Sequence, residues 1–186
     1  MIKLNATSIT IASLVGILII GASTIVVLQN QQSQRELAAS PAAGALATAG
    51  AAAPYTDFAG NPADLDQYVG QVLVVHSWAS WSPFSSTQLT VLAEVAQSYA
   101  AQDVVFIAIN RAEAKATAEA YLQTIGVADQ VRLIVDNDDR YYKSIGGYTM
   151  PETVFYDQTG NIIAHKRGEL SISEAASYIE QALAED

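Results

Sequence analysis

The sequence contains no cysteine, and only two histidines occur among its 186 residues. A chain without cysteine can form neither a disulfide framework nor a thiolate metal site, and its cysteine usage gives no information on the redox compartment. Attachment of a lipid to an N-terminal cysteine is excluded for the same reason. Any function of this chain must therefore be performed without thiol chemistry.

Basic residues are also scarce. Nine lysines and arginines stand against nineteen aspartates and glutamates, which gives a formal net charge of −10. An acidic surface does not attract phosphate backbones, so we expect no nucleic-acid partner. The excess of acids is expected to lie on a solvated surface.

One long segment lacks charge altogether. Ile9–Leu28 is uncharged and mostly apolar, and a helix of that length spans about 30 Å, the thickness of the hydrocarbon core of a bilayer. The apolar core of a cleaved signal peptide has about 7–15 residues, and here the run is longer and is followed by polar residues. The segment 9–28 is therefore predicted to be an uncleaved transmembrane anchor.

The flanks of this segment indicate its orientation and the domain boundaries. Lys3 precedes it, whereas Arg35 beyond it is offset by Glu36, and this bias favours a cytoplasmic N-terminus over residues 1–8. Residues 29–54 form an alanine-rich linker, and residues 55–186 form the globular domain. That domain is expected outside the cytoplasm, in a periplasm or on the cell surface.

Apolar periodicity predicts alternating strands and helices within the domain. The predicted strands are Val72–His76, Val104–Ile109, Val131–Val135, Thr153–Tyr156 and Ile162–His165. The predicted helices are Thr87–Tyr99, Glu113–Ile125, a short helix through Ser144 with Asp138 or Asp139 as its cap, and a last helix from Ser171 or Ser173 to Ala184. This order indicates an α/β domain with a mixed sheet and helices on both faces.

The most informative motif follows the first of these strands. Trp81-Ser82-Pro83-Phe84-Ser85 places two serines, separated by two residues, between a strand and a helix. With cysteine at positions 82 and 85 the segment would be a Cys-x-x-Cys motif in the thioredoxin-like redox arrangement.

Other segments extend this likeness, and the chain resembles the thioredoxin fold. More narrowly, it is similar to the membrane-anchored thiol–disulfide oxidoreductases of the TlpA/ResA group over about Tyr55–Leu183. Tyr55–Gly70 resembles the opening hairpin of that family, Trp78–Trp81 the stretch before its active site, and Met150-Pro151 its cis-proline loop. The resemblance implies a disulfide exchange activity on extracytoplasmic proteins such as apocytochromes, without a cofactor or a metal.

The catalytic positions depart from the family. The resemblance aligns Ser82 and Ser85 with the nucleophilic and resolving cysteines, and a serine hydroxyl neither ionises near neutral pH nor forms a stable bond to sulfur. His76 and Ser77 stand where the superfamily usually has a buried acid or amide and an aromatic residue. These departures favour native loss of the thiols, and engineered replacement of two cysteines is the alternative.

The same resemblance predicts a polypeptide-binding surface. It consists of Trp81, Pro83, Phe84, Met150 and Pro151, which would form an apolar patch around the two serines. An extended segment of a partner, including one that contains cysteine, could pair with the backbone of the cis-proline loop.

Several further side chains have simpler interpretations. A hydrolase based on Ser82 and His76 is disfavoured, because no nucleophile elbow is present and a core histidine bonded to a neighbour is expected. Asp136–Asp139 is expected to cap a helix rather than to bind calcium, and His165 is expected to be solvated. Two roles, in the core or on a partner surface, are open for Tyr141, Tyr142 and Tyr148.

Three functions remain open from the sequence. The first is a redox-inactive binding or assembly module that keeps the substrate groove. The second is a TlpA/ResA-type oxidoreductase disabled by substitution of both cysteines. The third is a structural subunit of a membrane complex.

Overall fold

A computed structural model of the chain describes residues 55–126 and 131–185. The predicted anchor 9–28 and the linker 29–54 lie outside these residues. Within the two described ranges, no helix has the length and apolarity that crossing a membrane requires.

Seven strands and four α-helices make up this part of the chain. The strands are β1 (Tyr55–Asp57), β2 (Pro62–Ala63), β3 (Val72–Trp78), β4 (Val104–Arg111), β5 (Arg132–Asp136), β6 (Glu152–Tyr156) and β7 (Ile162–Arg167). The helices are α1 (Ser85–Ser98), α2 (Lys115–Ile125), α3 (Arg140–Ser144) and α4 (Ile172–Ala184), and a 3-10 turn covers Asp66–Tyr68. Every predicted strand and helix is present within a few residues of its predicted limits.

The strands form one mixed sheet in the order β2-β1-β5-β4-β3-β6-β7. β3 pairs parallel with β4 and antiparallel with β6, and Trp78 lies opposite Asn110 while Ser77 lies opposite Glu152. The carboxyl ends of β3 and β4 therefore meet the beginning of β6 at one edge of the sheet. The loops at this edge hold the candidate site.

Burial on both faces explains the continuous apolar sequence of the central strands. On β3, Val74 and Trp78 belong to a cluster with side chains of α1, α2 and α4. Leu73 and Val75 point the other way, into a second cluster with the tyrosines of α3 and with Tyr68. The three longer helices thus cover one face and α3 with the 3-10 turn the other, which confirms the predicted fold class.

One predicted helix cap is confirmed, and a glycine ends a second helix. The side chain of Ser171 accepts a hydrogen bond from the backbone N–H of Glu174, whose carboxylate in turn accepts from the N–H of Ser171, so the two residues form a capping box. Gly126 follows α2 with φ of 62°, a left-handed conformation that glycine adopts without strain.

The prediction for the cap of α3 was wrong in its mechanism. Asp139 precedes the helix, but its carboxylate pairs with Arg111 and makes no cap hydrogen bond, and Asp138 pairs with Arg140. Asp136 supplies the contact instead, since its Oδ2 accepts from the backbone N–H of Tyr141 at 2.8 Å. A carboxylate at the end of β5 reaches the first turn of the helix because the connecting loop is tight.

Candidate functional site

The two serines of the motif lie in the segment that joins β3 to the first residue of α1, and we call residues 79–85 the serine turn. The backbone N–H of Ser82 donates to the carbonyl of Ala79 at 3.1 Å, and the N–H of Ser85 donates to the carbonyl of Ser82 at 3.2 Å. A turn of this kind keeps its first and fourth Cα atoms within about 7 Å, a range that overlaps the separation found in disulfides. The structure thus brings together the two positions that the sequence singled out.

The hydroxyls of these serines are used differently. Ser85 is fully buried, and its Oγ donates to the carbonyl oxygen of Ala79 at 2.7 Å. Ser82 is 3% exposed, and its Oγ is buried without a hydrogen-bond partner among the described residues. Ser85 therefore closes the turn, whereas the hydroxyl of Ser82 bears a desolvation cost that no contact offsets.

The hydrolase interpretation of Ser82 lacks its base. His76 is buried on β3, and its Nδ1 lies 2.8 Å from the hydroxyl oxygen of Thr153 on β6. Burial lowers the pKa of His76 to about 4, so the imidazole is neutral at physiological pH. The prediction of a core histidine bonded to a neighbour is confirmed.

A carboxylate that sequence reasoning missed braces the start of the turn. Glu113, just before α2, accepts hydrogen bonds from the backbone N–H and the hydroxyl of Ser80, and from the side-chain amide of Asn110 at 2.8 Å. Asn110 lies next to Trp78 in the register of β3 and β4. The Glu113 carboxylate thus ties the segment before Ser82 to the end of β4.

The loop before β6 contains the predicted cis peptide bond, between Met150 and Pro151. The carbonyl of Pro151 accepts from the backbone N–H of Gly168 at 2.9 Å, which attaches the loop to the end of β7. Because Ser77 lies opposite Glu152, the loop and the serine turn share one edge of the sheet. Neither backbone polar group of Met150 hydrogen-bonds to another described residue.

A buried carboxylate with three hydrogen-bond contacts holds this loop in place. Oε1 of Glu152 accepts from the backbone N–H groups of Tyr148 and Thr149, both at 2.9 Å, and its Oε2 lies 2.6 Å from Nε2 of His165. Burial raises the pKa of the Glu152 carboxyl, but the hydrogen bonds from His165, Tyr148 and Thr149 outweigh burial and hold that pKa below its ordinary value. This carboxyl is therefore ionised at neutral pH.

The prediction that His165 is solvated was wrong. Its side chain is only 7% exposed, because the β6–β7 register sets it diagonally across from Glu152. An acid placed directly after a proline, within an otherwise apolar strand, was the available signal that Glu152 has a buried partner. The partner itself could not be identified without the strand register.

Arg111 connects the serine turn with the cis-proline loop. Its guanidinium carbon lies 5.9 Å from the ring centre of Trp81 and 3.3 Å from that of Tyr142, and its nitrogens donate to both carboxylate oxygens of Asp139 at 2.9 and 2.6 Å. The hydroxyl of Tyr142 in turn donates to the carbonyl of Thr149. Because Asp139 neutralises the charge of Arg111, the contribution of Arg111 here is to position the rings of Trp81 and Tyr142.

Large apolar side chains are exposed around the site. Trp81 is 59% exposed, Phe84 40% and Tyr148 76%. Met150 is half-buried and Pro83 is exposed. Pro151 is buried, so its ring contributes little to the exposed apolar surface. We call Trp81, Phe84, Tyr148 and Met150 the rim. Tyr148 joins the rim, whereas Tyr141 and Tyr142 belong to the core.

Comparison with protein families gives one match over most of the chain. A family model described as Redoxin matches residues 42–183, which include the whole of the serine turn and the cis-proline loop.

Two curated relatives bear names that describe disulfide chemistry. The chain is 22% identical over 125 residues to the thiol-disulfide oxidoreductase ResA of Geobacillus kaustophilus, covering 67% of this chain and 71% of that protein. It is 34% identical over 102 residues to the thiol:disulfide interchange protein DsbE of Allochromatium vinosum, covering 55% of this chain and 54% of the relative. The alignment thus spans about half the length of this DsbE.

Solved structures show the same fold. A secreted disulfide oxidoreductase of Mycobacterium tuberculosis, described as homologous to DsbE of E. coli, superposes with a TM-score of 0.60 at 19% identity, covering 68% of this chain and 93% of that one. StoA of Bacillus subtilis superposes with a TM-score of 0.59 at 16% identity, covering 69% and 96%. At these identities the likeness establishes the thioredoxin-like fold.

Proposed function

Because the chain belongs to the Redoxin family and carries serine at both positions of the Cys-x-x-Cys pattern, we propose that it binds polypeptides without catalysing disulfide exchange. One observation carries this proposal. The serine turn and the cis-proline loop lie at one edge of the sheet with the exposed rim around them, which supports a polypeptide site, while both sulfur positions hold hydroxyls. The partners are polypeptide segments, and cysteine-containing extracytoplasmic proteins are among them.

The chemistry of serine accounts for the loss of catalysis. Disulfide exchange begins with attack by a thiolate, which the N-terminus of a helix such as α1 would stabilise. A mixed disulfide then forms and a second thiol resolves it. Ser82 offers a buried, neutral hydroxyl, and the hydroxyl of Ser85 is committed to the carbonyl of Ala79. Neither can form the sulfur–sulfur bond that the cycle requires.

Binding does not need the thiols. The backbone N–H and C=O of Met150 make no hydrogen bond to another described residue, so they can pair with an extended chain. The exposed side chains of the rim supply apolar surface for the side chains of that segment. Glu152 fixes the backbone of Tyr148 and Thr149 before any ligand arrives. A rigid loop with exposed aromatics loses little conformational entropy on binding, which favours affinity.

A second candidate function is a thiol–disulfide oxidoreductase whose two cysteines have been replaced. The environment of Ser82 favours it, because a thiol tolerates burial without a hydrogen bond better than a hydroxyl does. The hydroxyl of Ser85 favours the first proposal, since it makes a 2.7 Å hydrogen bond for which a thiol is a weaker donor. Cysteine codons at positions 82 and 85 of the source gene would decide for the second candidate.

The location belongs to the proposal as well. The uncharged segment Ile9–Leu28 would anchor the chain, and the domain would face away from the cytoplasm. Labelling an introduced cysteine at Gln97 in intact cells with a membrane-impermeant maleimide tests this orientation. Labelling only after the cells are opened would contradict it.

Selection from a peptide library tests the binding function. The full-length chain, purified in mild detergent, is immobilised and exposed to a phage library of random twelve-residue peptides that lack cysteine. We expect selected peptides to bind the wild type and to bind Trp81→Ala and Tyr148→Ala about tenfold more weakly. Val69→Ala is the matched control, because Val69 is 53% exposed but precedes β3 at the opposite edge of the sheet. Failure to select any peptide, or equal weakening by the control, would contradict the proposal.

A further inference from the structure

The cis-proline loop has a cationic neighbour. Arg167 is the last residue of β7, lies opposite Glu152 in the register of β6 and β7, and is exposed. The next residue, Gly168, donates its backbone N–H to the carbonyl of Pro151. Backbone pairing at Arg167 and at Gly168 therefore fixes the position from which the Arg167 side chain extends.

This arginine packs on the most exposed aromatic ring of the rim. Its guanidinium carbon lies 4.9 Å from the ring centre of Tyr148. Such stacking leaves the edge of the guanidinium plane, with its N–H donors, free to meet a planar anion. The ring and the cation together form one surface that is apolar on one side and positively charged on the other.

The charge of Arg167 is unneutralised within the described part of the chain. No carboxylate of these residues forms an ion pair with it, whereas Arg111 at the other end of the rim is bound by both oxygens of Asp139. The whole chain has a formal net charge of −10. A cation without an ion-pair partner beside the rim of an acidic protein thus favours an anionic group at this position electrostatically.

We infer that Arg167 and Tyr148 form a subsite for an acidic side chain of the bound polypeptide. This inference rests on the proposed function, because it assumes that an extended segment pairs with Met150. An apolar residue of that segment packs on the rim, and an aspartate or glutamate beside it accepts hydrogen bonds from the guanidinium of Arg167. The subsite would make binding selective for segments that combine apolar and acidic residues.

The contact between Arg167 and the acidic side chain should contribute modestly to the binding affinity, because Arg167 is exposed to solvent. We expect replacement of the acid by its amide to weaken binding about fivefold at low salt, and we expect this preference to shrink as the salt concentration rises.

Charge exchange provides the test. One peptide selected on the wild type is synthesised with glutamate, glutamine or lysine at its acidic position, and binding is measured by fluorescence anisotropy on the full-length chain. We expect the wild type to prefer glutamate, Arg167→Ala to lose this preference and Arg167→Glu to prefer lysine. Arg132→Glu is the matched control, because Arg132 also stacks on a tyrosine, Tyr68, but at the start of β5, away from the rim.

The outcomes separate the inference from the function on which it rests. Peptides that need Trp81 and Tyr148 but bind equally with glutamate, glutamine and lysine would overturn the acidic subsite and leave polypeptide binding intact. An unchanged glutamate preference in Arg167→Glu would also overturn the subsite. Failure to select any peptide would overturn both proposals.

Discussion

The Nε2 atom of His165 lies 2.6 Å from the Oε2 atom of Glu152, the residue that follows Pro151, and both side chains are buried. The same carboxylate receives two backbone N–H groups of the cis-proline loop. A buried carboxylate with three donors thus determines the position of the loop on which polypeptide binding is proposed to depend.

Removal of the Glu152 carboxylate should destabilise the folded protein. Glu152→Ala leaves His165 and two backbone N–H groups buried without their partner, and we expect a loss of about 3 kcal/mol in the free energy of unfolding. Urea unfolding followed by tryptophan fluorescence measures it. Glu119→Ala is the control, since Glu119 forms an exposed pair with Lys115 and should cost less than about 0.5 kcal/mol. Equal effects of the two substitutions would contradict the assigned role of Glu152.

The two serines should respond differently to removal of their hydroxyls. Ser85→Ala removes one of the two hydrogen bonds that the buried carbonyl of Ala79 accepts and should lower the free energy of unfolding by about 1 kcal/mol. Ser82→Ala removes a buried hydroxyl that has no hydrogen-bond partner among the described residues and should be neutral or stabilising. The same urea experiment compares them. A larger loss for Ser82→Ala than for Ser85→Ala would contradict the hydrogen-bond assignment.

Restoring the sulfur pair should restore redox chemistry. The double variant with Ser82→Cys and Ser85→Cys places two thiols in one turn at the N-terminus of α1, where the helix dipole favours thiolate. With dithiothreitol supplied to reduce the new cysteine pair again after each cycle, we expect this variant to accelerate the reduction of insulin disulfides, whereas the wild type should not. Ser82→Cys alone should attack oxidised glutathione, form a mixed disulfide and release one glutathione thiol, but should not turn over. Acceleration of insulin reduction by the wild type would refute the assignment of a non-catalytic site.

His76 should make stability depend on pH. The folded protein holds this imidazole neutral down to a pKa of about 4, whereas in the unfolded chain it protonates near pH 6.5. The unfolded state therefore binds more protons between these values, and acidification from pH 6.5 to 4 should cost about 3 kcal/mol. His76→Asn removes the titrating group and should show a shallower loss across that window. Identical pH profiles for the two proteins would rule out His76 as the cause.

Local sequence patterns predicted most of the fold. The apolar runs of β3 and β4 and the helical spacing of α1 are repeated signals that extend over many residues, and the observed limits differ from the predicted ones by only a few residues. The serine pair at positions 82 and 85 was singled out by a short motif with fixed spacing, and the cis-proline at Pro151 was implied by the resemblance to the TlpA/ResA group. All of these depend on neighbours in the sequence.

The features that sequence reasoning missed depend on distant partners. Glu113 reaches Ser80 across 33 positions, and His165 reaches Glu152 across a strand register that no local pattern specifies. Arg111 could not be placed between Trp81 and Tyr142 for the same reason. The positions of the serine pair and of the cis-proline loop in the fold could thus be predicted, whereas the side chains that hold them in place required the three-dimensional structure.

Site-specific photocrosslinking tests the central claim most directly, namely that a thiol-free site at the cis-proline loop still binds polypeptide. A benzophenone amino acid is introduced at Met150 of the full-length chain and, as a control, at Val69, and each protein is irradiated with a cysteine-free peptide selected on the wild type. We expect capture from position 150, its loss when unlabelled peptide competes, and no capture from position 69. Capture from position 69 equal to that from position 150, or no capture from position 150, would contradict the claim.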